Sequence, residues 1–219
     1  MSKTLIIPGS FNPVTNNHIS MALTAKNAVG ANKVLFVPAH DSYVARKRAL
    51  IPVYCRVALI NSMEDCEKYN IWASDIETAN PFPQITYSTV TQIREEDDKN
   101  GIFNEYYVCL GMDNIRYLTT WYGWKPLVEE YNIIACTREG QRLDTTLVEA
   151  GLMDYKDHFT EIQIPQNPYS SSFVRGLCEK GDFRDVKDLV PSNVYDYLLK
   201  FYGVMNHLYY TKSSAKEVV

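Results

Sequence analysis

Six short apolar runs constrain the fold of this chain more than any other feature of its sequence. They lie at residues 4–8, 33–38, 70–74, 105–110, 132–136 and 159–164. Most of these runs are mainly apolar rather than alternating between apolar and polar residues, which is typical of strands buried on both faces. Segments with helical features separate them, and such alternation favours a parallel sheet between two helical layers. We therefore expect an α/β fold with a Rossmann-like, doubly wound parallel sheet.

The segments between the runs predict the helices. Cap residues and apolar spacing indicate helices at 18–29, from Pro52 to about residue 66, from about residue 86 to 98, and in part of 141–158. Shorter helices are expected before residue 131, from about Phe173, and after residue 192. The pattern fades after Gly203. We expect one domain over residues 1–203, including its C-terminal helices, and a tail over 204–219.

Composition narrows the classes of partner. The 219 residues are 46% hydrophobic, which is enough for a core, and the net charge of −4 argues against bulk binding to nucleic acid or anionic membranes. No apolar run reaches the roughly 18 residues of a membrane span. The five cysteines are widely spaced and form no metal-binding pattern. We expect reduced thiols, no structural metal, and a cytoplasmic location. The oligomeric state stays open, a homo-oligomer included.

Four polar clusters follow predicted strands or precede predicted helices, at residues 9–18, 111–114, 137–140 and 170–175. In open parallel sheets, ligands bind at the carboxyl ends of the strands. The first cluster joins a strand to a helix N-terminus, where free backbone N–H groups and the helix dipole attract anions. We therefore expect a phosphate site at this edge, with His18 in the first turn of the helix. A dehydrogenase fingerprint is missing, because residues 9–18 contain Gly9 as their single glycine.

Two of these clusters resemble motifs of the nucleotidyltransferase superfamily. Thr15 and His18 match its H/T-x-x-H loop, and residues 169–175 resemble its I-S-S-T-x-I-R motif. Over about residues 3–202 the chain resembles the nicotinamide/nicotinate mononucleotide adenylyltransferase family within that superfamily. Residues 50–56 are similar to eukaryotic members, and residues 120–124 to bacterial nicotinate enzymes.

The motifs also depart from the family pattern. Asn17 stands where glycine is common, Tyr169 replaces isoleucine, and Ser172 replaces threonine. The resemblance implies the nucleotidylyltransferase type of Rossmann-like sheet. It also implies a reaction in which a mononucleotide phosphate attacks the α-phosphate of ATP and releases pyrophosphate. Such a reaction needs alignment and charge neutralisation rather than a general base.

The resemblance assigns a phosphate-binding set at the two motifs. His18 and Arg175 are the expected catalytic residues. The expected ATP- or phosphate-binding residues are Gly9, Ser10, Phe11, Thr15, Asp113, Arg138, Ser171 and Ser172. Mg²⁺ is expected to arrive with ATP, held by phosphates and water rather than by an all-protein cage. Structural alternatives stay open, with His18 in a local hydrogen bond, Asp113 as a helix N-cap and Arg138 as a solvated loop residue.

A second set is expected to bind the acceptor, nicotinamide or nicotinate mononucleotide. Trp121 is the candidate to stack on the pyridine ring, with Trp124 as the alternative. Lys47 and Arg48 are candidates to bind the phosphate of the mononucleotide, with a solvated basic loop as the alternative. Tyr87, Ser88 and Thr89 are candidates to read the amide or carboxylate of the base through backbone groups, with ordinary helix capping as the alternative. Two further readings stay open: another acceptor, such as pantetheine phosphate or FMN, or CTP as donor, and a non-catalytic nucleotide-binding domain.

Overall fold

The computed structural model describes residues 2–44, 50–79, 82–165 and 168–214, with side chains to residue 204. The strands are β1 Ser2–Gly9, β2 Lys33–Pro38, β3 Ile71–Ala73, β4 Asn104–Gly111, β5 Asn132–Thr137 and β6 Phe159–Gln163. The helices are α1 Asn16–Val29, α2 Asp41–Val44, α3 Val53–Asn61, α4 Cys66–Tyr69, α5 Ile76–Ala79, α6 Thr86–Lys99, α7 Met112–Arg116, α8 Trp124–Glu130, α9 Leu143–Ala150, α10 Ser171–Lys180, α11 Phe183–Val186 and α12 Ser192–Ser214. Two 3₁₀ helices span Leu118–Thr120 and Met153–His158.

The strands form one parallel sheet in the order β3-β2-β1-β4-β5-β6. This order confirms the predicted doubly wound α/β architecture. The chain moves outward from β1 through β2 to β3, then returns to β4 on the other side of β1. The carboxyl ends of β1 and β4 therefore border the topological switch point, where ligands bind in open α/β sheets.

The inner strands of the sheet are buried on both faces, which explains their apolar runs. Leu5 and Ile7 face a cluster that includes residues of α1, α3, α10 and α12. Ile6, between them, faces a second cluster with residues of α6, α7, α8 and α9. Successive side chains of a strand point to opposite faces, so a run of three apolar residues supplies both cores.

Two helix boundaries differ from the sequence prediction. Helix α1 begins at Asn16, two residues before the predicted start, because Thr15 is its N-cap. Helix α3 ends at Asn61 rather than near residue 66. Asn61 pairs with both backbone groups of Ala73, accepting at 2.6 Å and donating at 3.2 Å. This side chain therefore ties the end of α3 to the edge strand β3.

The C-terminal helix also differs from its prediction. Helix α12 passes through Gly203 and continues to Ser214, so the predicted change to a tail after Gly203 is wrong as a secondary-structure boundary. The division into a domain over 1–203 and a tail stays a prediction. The five cysteines are free thiols, four of them buried. In the described part of the chain, no helix has the length and hydropathy to cross a bilayer.

Candidate active site

The loop after β1 is built around the ring of Phe11. A methyl group on Gly9 would lie 2.8 Å from the Phe11 ring, so the ring covers this backbone at a distance only glycine permits. Phe11 itself has a φ of +43°, a region that non-glycine residues rarely adopt. Its buried ring meets the His18 imidazole edge to face, with the two centroids 5.2 Å apart. Phe11 therefore shapes the loop from the core while its backbone stays at the strand end.

Thr15 holds the His18 imidazole through its Nδ1 atom. The backbone N–H of Thr15 donates to His18 Nδ1 at 3.1 Å, and Thr15 Oγ1 lies 2.8 Å from the same nitrogen. Because Nδ1 accepts a hydrogen bond, the neutral imidazole carries its proton on Nε2. His18 can therefore offer an Nε2–H donor on the side of the ring away from Thr15.

This arrangement corrects the predicted role of Thr15. Thr15 is only 1% exposed, and its hydroxyl lies within hydrogen-bond distance of the His18 imidazole. Thr15 therefore supports the His18 imidazole, and its burial does not favour a direct contact with a phosphate. The predicted alternative for His18, a local hydrogen bond, is present as well, and it engages Nδ1.

The second motif docks directly on the first loop. Ser170 is the N-cap of α10 and accepts from the backbone N–H of Phe173 at 3.2 Å. Ser171 Oγ donates to the carbonyl of Pro13 at 2.9 Å. Because the N-cap of α1, Thr15, lies two residues after Pro13, the N-termini of α1 and α10 lie side by side. Two helix dipoles then favour an anion at the same place.

Arg175 crosses the junction between the two motifs. Its Nη1 donates to the carbonyl oxygen of Asn12 at 2.7 Å, and its Nη2 donates to Ser172 Oγ at 3.0 Å. Part of the guanidinium fork is thus engaged in holding the loop, while the half-buried side chain keeps donor hydrogens for a ligand. The two motifs that the sequence places at opposite ends of the domain form one site.

A cavity of about 710 Å³ opens at the switch point beside this junction. Its walls come from the ends of β1 and β2, the start of α6 and the loop before α8. The side chains and backbone that line it include Ser10, Ala39, His40, Glu77, Gln84, Thr86, Thr89, Asn114, Trp121 and Tyr122. This volume accommodates a small nucleotide-sized ligand.

The two tryptophan candidates differ in their position relative to the cavity. Trp121 lines it, half-buried, whereas Trp124 packs edge to face on Tyr155 with centroids 5.5 Å apart. Gly123 lies between them with a φ of +73°, and a methyl group there would come within 3.2 Å of Tyr87 Cβ. The close approach permitted by Gly123 brings the tryptophan loop against the start of α6.

The start of α6 supplies backbone donors to the cavity. Its N-cap is Ile85, which has no side-chain oxygen to accept from the first-turn N–H groups. Of the three candidates there, Thr89 lines the cavity and Ser88 is exposed. The Tyr87 hydroxyl instead donates to Glu130 at 2.8 Å, and this hydrogen bond raises the pKa of Tyr87. Tyr87 can thus reach a ligand through its backbone N–H, not its phenol.

The remaining candidates lie at neighbouring strand ends or outside the described residues. Asp113 is exposed in the first turn of α7, and Gly111 is the N-cap of that helix, so the alternative role of Asp113 as N-cap is wrong. Arg138 is exposed directly after β5. Lys47 and Arg48 fall outside the described residues.

Two buried charged residues at the site were missed by the sequence analysis. Arg56 is 1% exposed, and burial lowers the pKa of its guanidinium while Asp41 opposes that shift. Its signal was available, because Arg56 occupies the apolar face of α3 together with Val57 and Ile60. Glu77 lines the cavity and accepts from Thr89 Oγ1 at 2.8 Å, and nothing in its sequence context marks it.

Within the described ranges, no group of three or more His, Cys, Asp or Glu side chains is arranged to hold a metal ion. The donor set at the junction is instead cationic or made of N–H groups, which suits phosphate oxygens. Asp113 is the carboxylate at the neighbouring end of β4.

Comparisons with known proteins identify the family of this chain. The sequence profile of the cytidylyltransferase-like family matches residues 6–177. A probable nicotinate-nucleotide adenylyltransferase of Maridesulfovibrio salexigens is 30% identical over 201 residues, which cover 85% of this chain and 89% of the relative. A similarly named protein of Clostridium tetani is 26% identical over 207 residues, covering 93% of this chain and 99% of the relative.

Solved structures show the same fold. A Plasmodium falciparum nicotinic acid mononucleotide adenylyltransferase, determined as a complex with APC, superposes with a TM-score of 0.70 at 22% identity. The match covers 93% of this chain and 98% of that one. The same enzyme complexed with NaAD gives a TM-score of 0.69. At this identity the likeness concerns the fold.

Proposed function

Because the chain belongs to the cytidylyltransferase-like family, we propose that it is an adenylyltransferase that joins the AMP moiety of ATP to a pyridine mononucleotide. Nicotinate mononucleotide is the proposed preferred acceptor. The product is the corresponding dinucleotide, an intermediate of NAD biosynthesis or NAD itself. The observation that carries this proposal is the docking of the second motif on the first loop through Arg175 and Asn12.

The proposed reaction is a direct displacement at phosphorus. A phosphate oxygen of the mononucleotide forms a bond to the α-phosphorus of ATP, and the bond from that phosphorus to the oxygen bridging to the β-phosphate breaks. Pyrophosphate leaves with the bond electrons. The attacking phosphate is already ionised at pH 7, so the protein positions the reactants and stabilises charge.

His18 is proposed to donate from Nε2 to a phosphate oxygen whose charge grows in the transition state. Thr15 fixes the imidazole tautomer that makes this donor available. A preorganised donor of this kind needs no rearrangement at the moment of reaction.

The triphosphate is proposed to lie over the N-termini of α1 and α10. The residues that would contact it are Gly9, Ser10, Phe11, Ser171, Ser172 and Arg175, with Asp113 and Arg138 at the adjacent strand ends. Mg²⁺ is proposed to enter with ATP, and when bound it neutralises phosphate charge. Phosphates and water would hold the ion, and Asp113 in the first turn of α7 is the proposed acceptor for hydrogen bonds from that water shell.

The mononucleotide is proposed to occupy the cavity, with its pyridine ring against Trp121. The nicotinate carboxylate would accept from the free N–H groups of Tyr87 and Ser88 at the start of α6. The names of the curated relatives support the acid as substrate. Glu77 and Thr89 line the same cavity and provide polar partners for the ribose. Lys47 and Arg48 stay predicted contacts of the acceptor phosphate.

A substrate panel tests this proposal. The purified chain is assayed with ATP or CTP as donor and with nicotinate mononucleotide, nicotinamide mononucleotide, pantetheine phosphate or FMN as acceptor. We expect dinucleotide and pyrophosphate in equal amounts from ATP and either pyridine mononucleotide, with the larger kcat/KM for the acid. Product from another acceptor alone, or from CTP alone, would replace the proposed substrates while keeping the reaction type. No product from any pair would favour a non-catalytic nucleotide-binding role.

A further inference from the structure

Arg56 is the most completely buried charged side chain among the described residues, and its guanidinium is almost fully hydrogen bonded. It makes four such bonds, from Nε to Ile51 O at 2.8 Å, from Nη1 to Ser10 O at 2.6 Å, and from Nη2 to Ala39 O and to Asp41 Oδ1, both at 2.7 Å. Three of the four acceptors are backbone carbonyls. The side chain therefore fixes main chain rather than a single ion pair.

These carbonyls belong to the walls of the cavity. Ser10 follows β1 and Ala39 follows β2, two strands that pair in the sheet, and both residues line the cavity. The Ala39 N–H also donates to Gly9 O at 2.8 Å, so the carboxyl ends of β1 and β2 are joined directly as well. Arg56 itself does not line the cavity. It lies behind the cavity wall and holds the residues that follow β1 and β2 in register.

Each bond to a carbonyl also sets the direction of an N–H group. A trans peptide unit is planar, and its C=O and N–H point in opposite directions. With Ser10 C=O turned toward Arg56, the N–H of Phe11 must point away from the guanidinium. The same argument turns the N–H of His40 away from it, since Ala39 C=O is bound by Nη2. Phe11, with its positive φ, depends most on such an anchor.

Arg56 also binds residues on both sides of the segment 45–49, which contains Lys47 and Arg48, the predicted contacts of the acceptor phosphate. Asp41 precedes residues 45–49 and Ile51 follows them, and both are bonded to the same guanidinium. Asn12, fully buried, accepts from Ile51 N–H at 3.0 Å, which links Ile51 to the loop held by Arg175. One buried cation thus connects the loop after β1, the end of β2 and the residues on either side of 45–49.

We propose that Arg56 is a positioning residue of the transfer reaction, aiming the Phe11 and His40 N–H groups at the substrate phosphates by holding the carbonyls of Ser10 and Ala39. This inference rests on the proposed function for its effect on turnover. Its effect on nucleotide binding does not depend on which acceptor is used. A lysine at this position keeps the charge but, as a single point donor, cannot hold three separated carbonyls.

The first test compares Arg56→Lys with Arg184→Lys. Arg184→Lys makes the same exchange at an exposed position of α11, outside the site, so we expect its kcat and its Kd for ATP to stay within about threefold of the parent. For Arg56→Lys we expect kcat/KM to fall by about 10²-fold at a temperature where circular dichroism shows it folded. We also expect the Kd for ATP to rise by about tenfold. A folded Arg56→Lys with unchanged kcat and Kd would overturn the proposal.

A second measurement uses the unmodified chain and so does not depend on the stability of a variant. Backbone ¹⁵N–¹H resonances are followed while ATP is added. We expect the amide resonances of Phe11 and His40 to move downfield on binding, as donors to phosphate do. If ATP binds and both resonances stay in place, the proposal is overturned even if dinucleotide synthesis is observed. If they shift but no acceptor reacts, the proposed function fails while Arg56 keeps its role in phosphate binding.

Discussion

Arg175 donates from Nη1 to the carbonyl oxygen of Asn12 at 2.7 Å, although 163 positions of sequence separate the two residues. With the bond from Ser171 to Pro13, this contact joins the start of α10 to the loop that precedes α1. A strand-end loop alone is a weak anion site. Two helix N-termini joined by a guanidinium can hold a triphosphate between them.

The first prediction concerns that joint. Arg175→Gln removes the donor to Asn12 and one cationic partner of the phosphates, so we expect kcat/KM for ATP to fall by about 10- to 100-fold. Arg184→Gln is the matched control, because Arg184 is exposed on the neighbouring α11. Steady-state kinetics with varied ATP measure both. Equal kcat/KM values for the two variants would show that Arg175 has no part in the site.

The second prediction concerns the support of the imidazole. Thr15→Val keeps the shape of the side chain and removes the hydroxyl that lies 2.8 Å from His18 Nδ1. We expect kcat to fall by about 5- to 30-fold, the equivalent of one lost hydrogen bond, and Thr15→Ser to retain most of it. Nitrogen chemical shifts of His18 should show Nε2–H in the parent chain. A dominant Nδ1–H tautomer in the parent would contradict this account of His18.

The third prediction concerns the contact between Gly9 and Phe11. Gly9→Ala would push the added methyl group against the Phe11 ring, so we expect a loss of about 1–3 kcal/mol in the free energy of unfolding and a lower kcat. Gly176→Ala is the control, because no atom lies within 4 Å of the added methyl in α10. It should leave stability unchanged or raise it by up to about 1 kcal/mol. Urea unfolding compares them, and equal stabilities would rule out the close contact.

The fourth prediction separates the two tryptophans. Trp121→Ala should raise the KM for the mononucleotide by about tenfold, since the side chain lines the cavity. Trp124→Ala should instead lower the free energy of unfolding by about 2–4 kcal/mol, since its ring packs on Tyr155. Kinetics and thermal unfolding of both variants give the comparison. The reverse pattern would place the pyridine ring on Trp124.

The sheet could be predicted from the sequence because burial on both faces leaves a direct trace in the chain. Ile6 and its neighbours Leu5 and Ile7 must all be apolar, so the run itself reveals the parallel strand. The meeting of residues 9–18 with 170–175 was also predictable, since parallel strands bring their carboxyl ends to one edge.

Individual contacts were not predictable in the same way. That Thr15 turns toward His18 depends on the exact start of α1, and Thr15, Asn16 and Asn17 are all residue types that can cap a helix there. The role of Arg56 depends on carbonyls of three separate loops, which carry no side-chain signal. The hydrogen bond from the Tyr87 hydroxyl to Glu130 of α8 was not predictable either, because the packing of two helices sets it.

The most direct measurement is the single-turnover rate of His18→Ala with saturating ATP and nicotinate mononucleotide, together with the Kd for ATP of the same variant. If Nε2–H stabilises the phosphate charge that develops in the transition state, the rate should fall by about 10²- to 10³-fold. The Kd for ATP should change by only a few fold, because Arg175 and the helix N-termini are intact. A single-turnover rate equal to that of the parent chain would contradict the account.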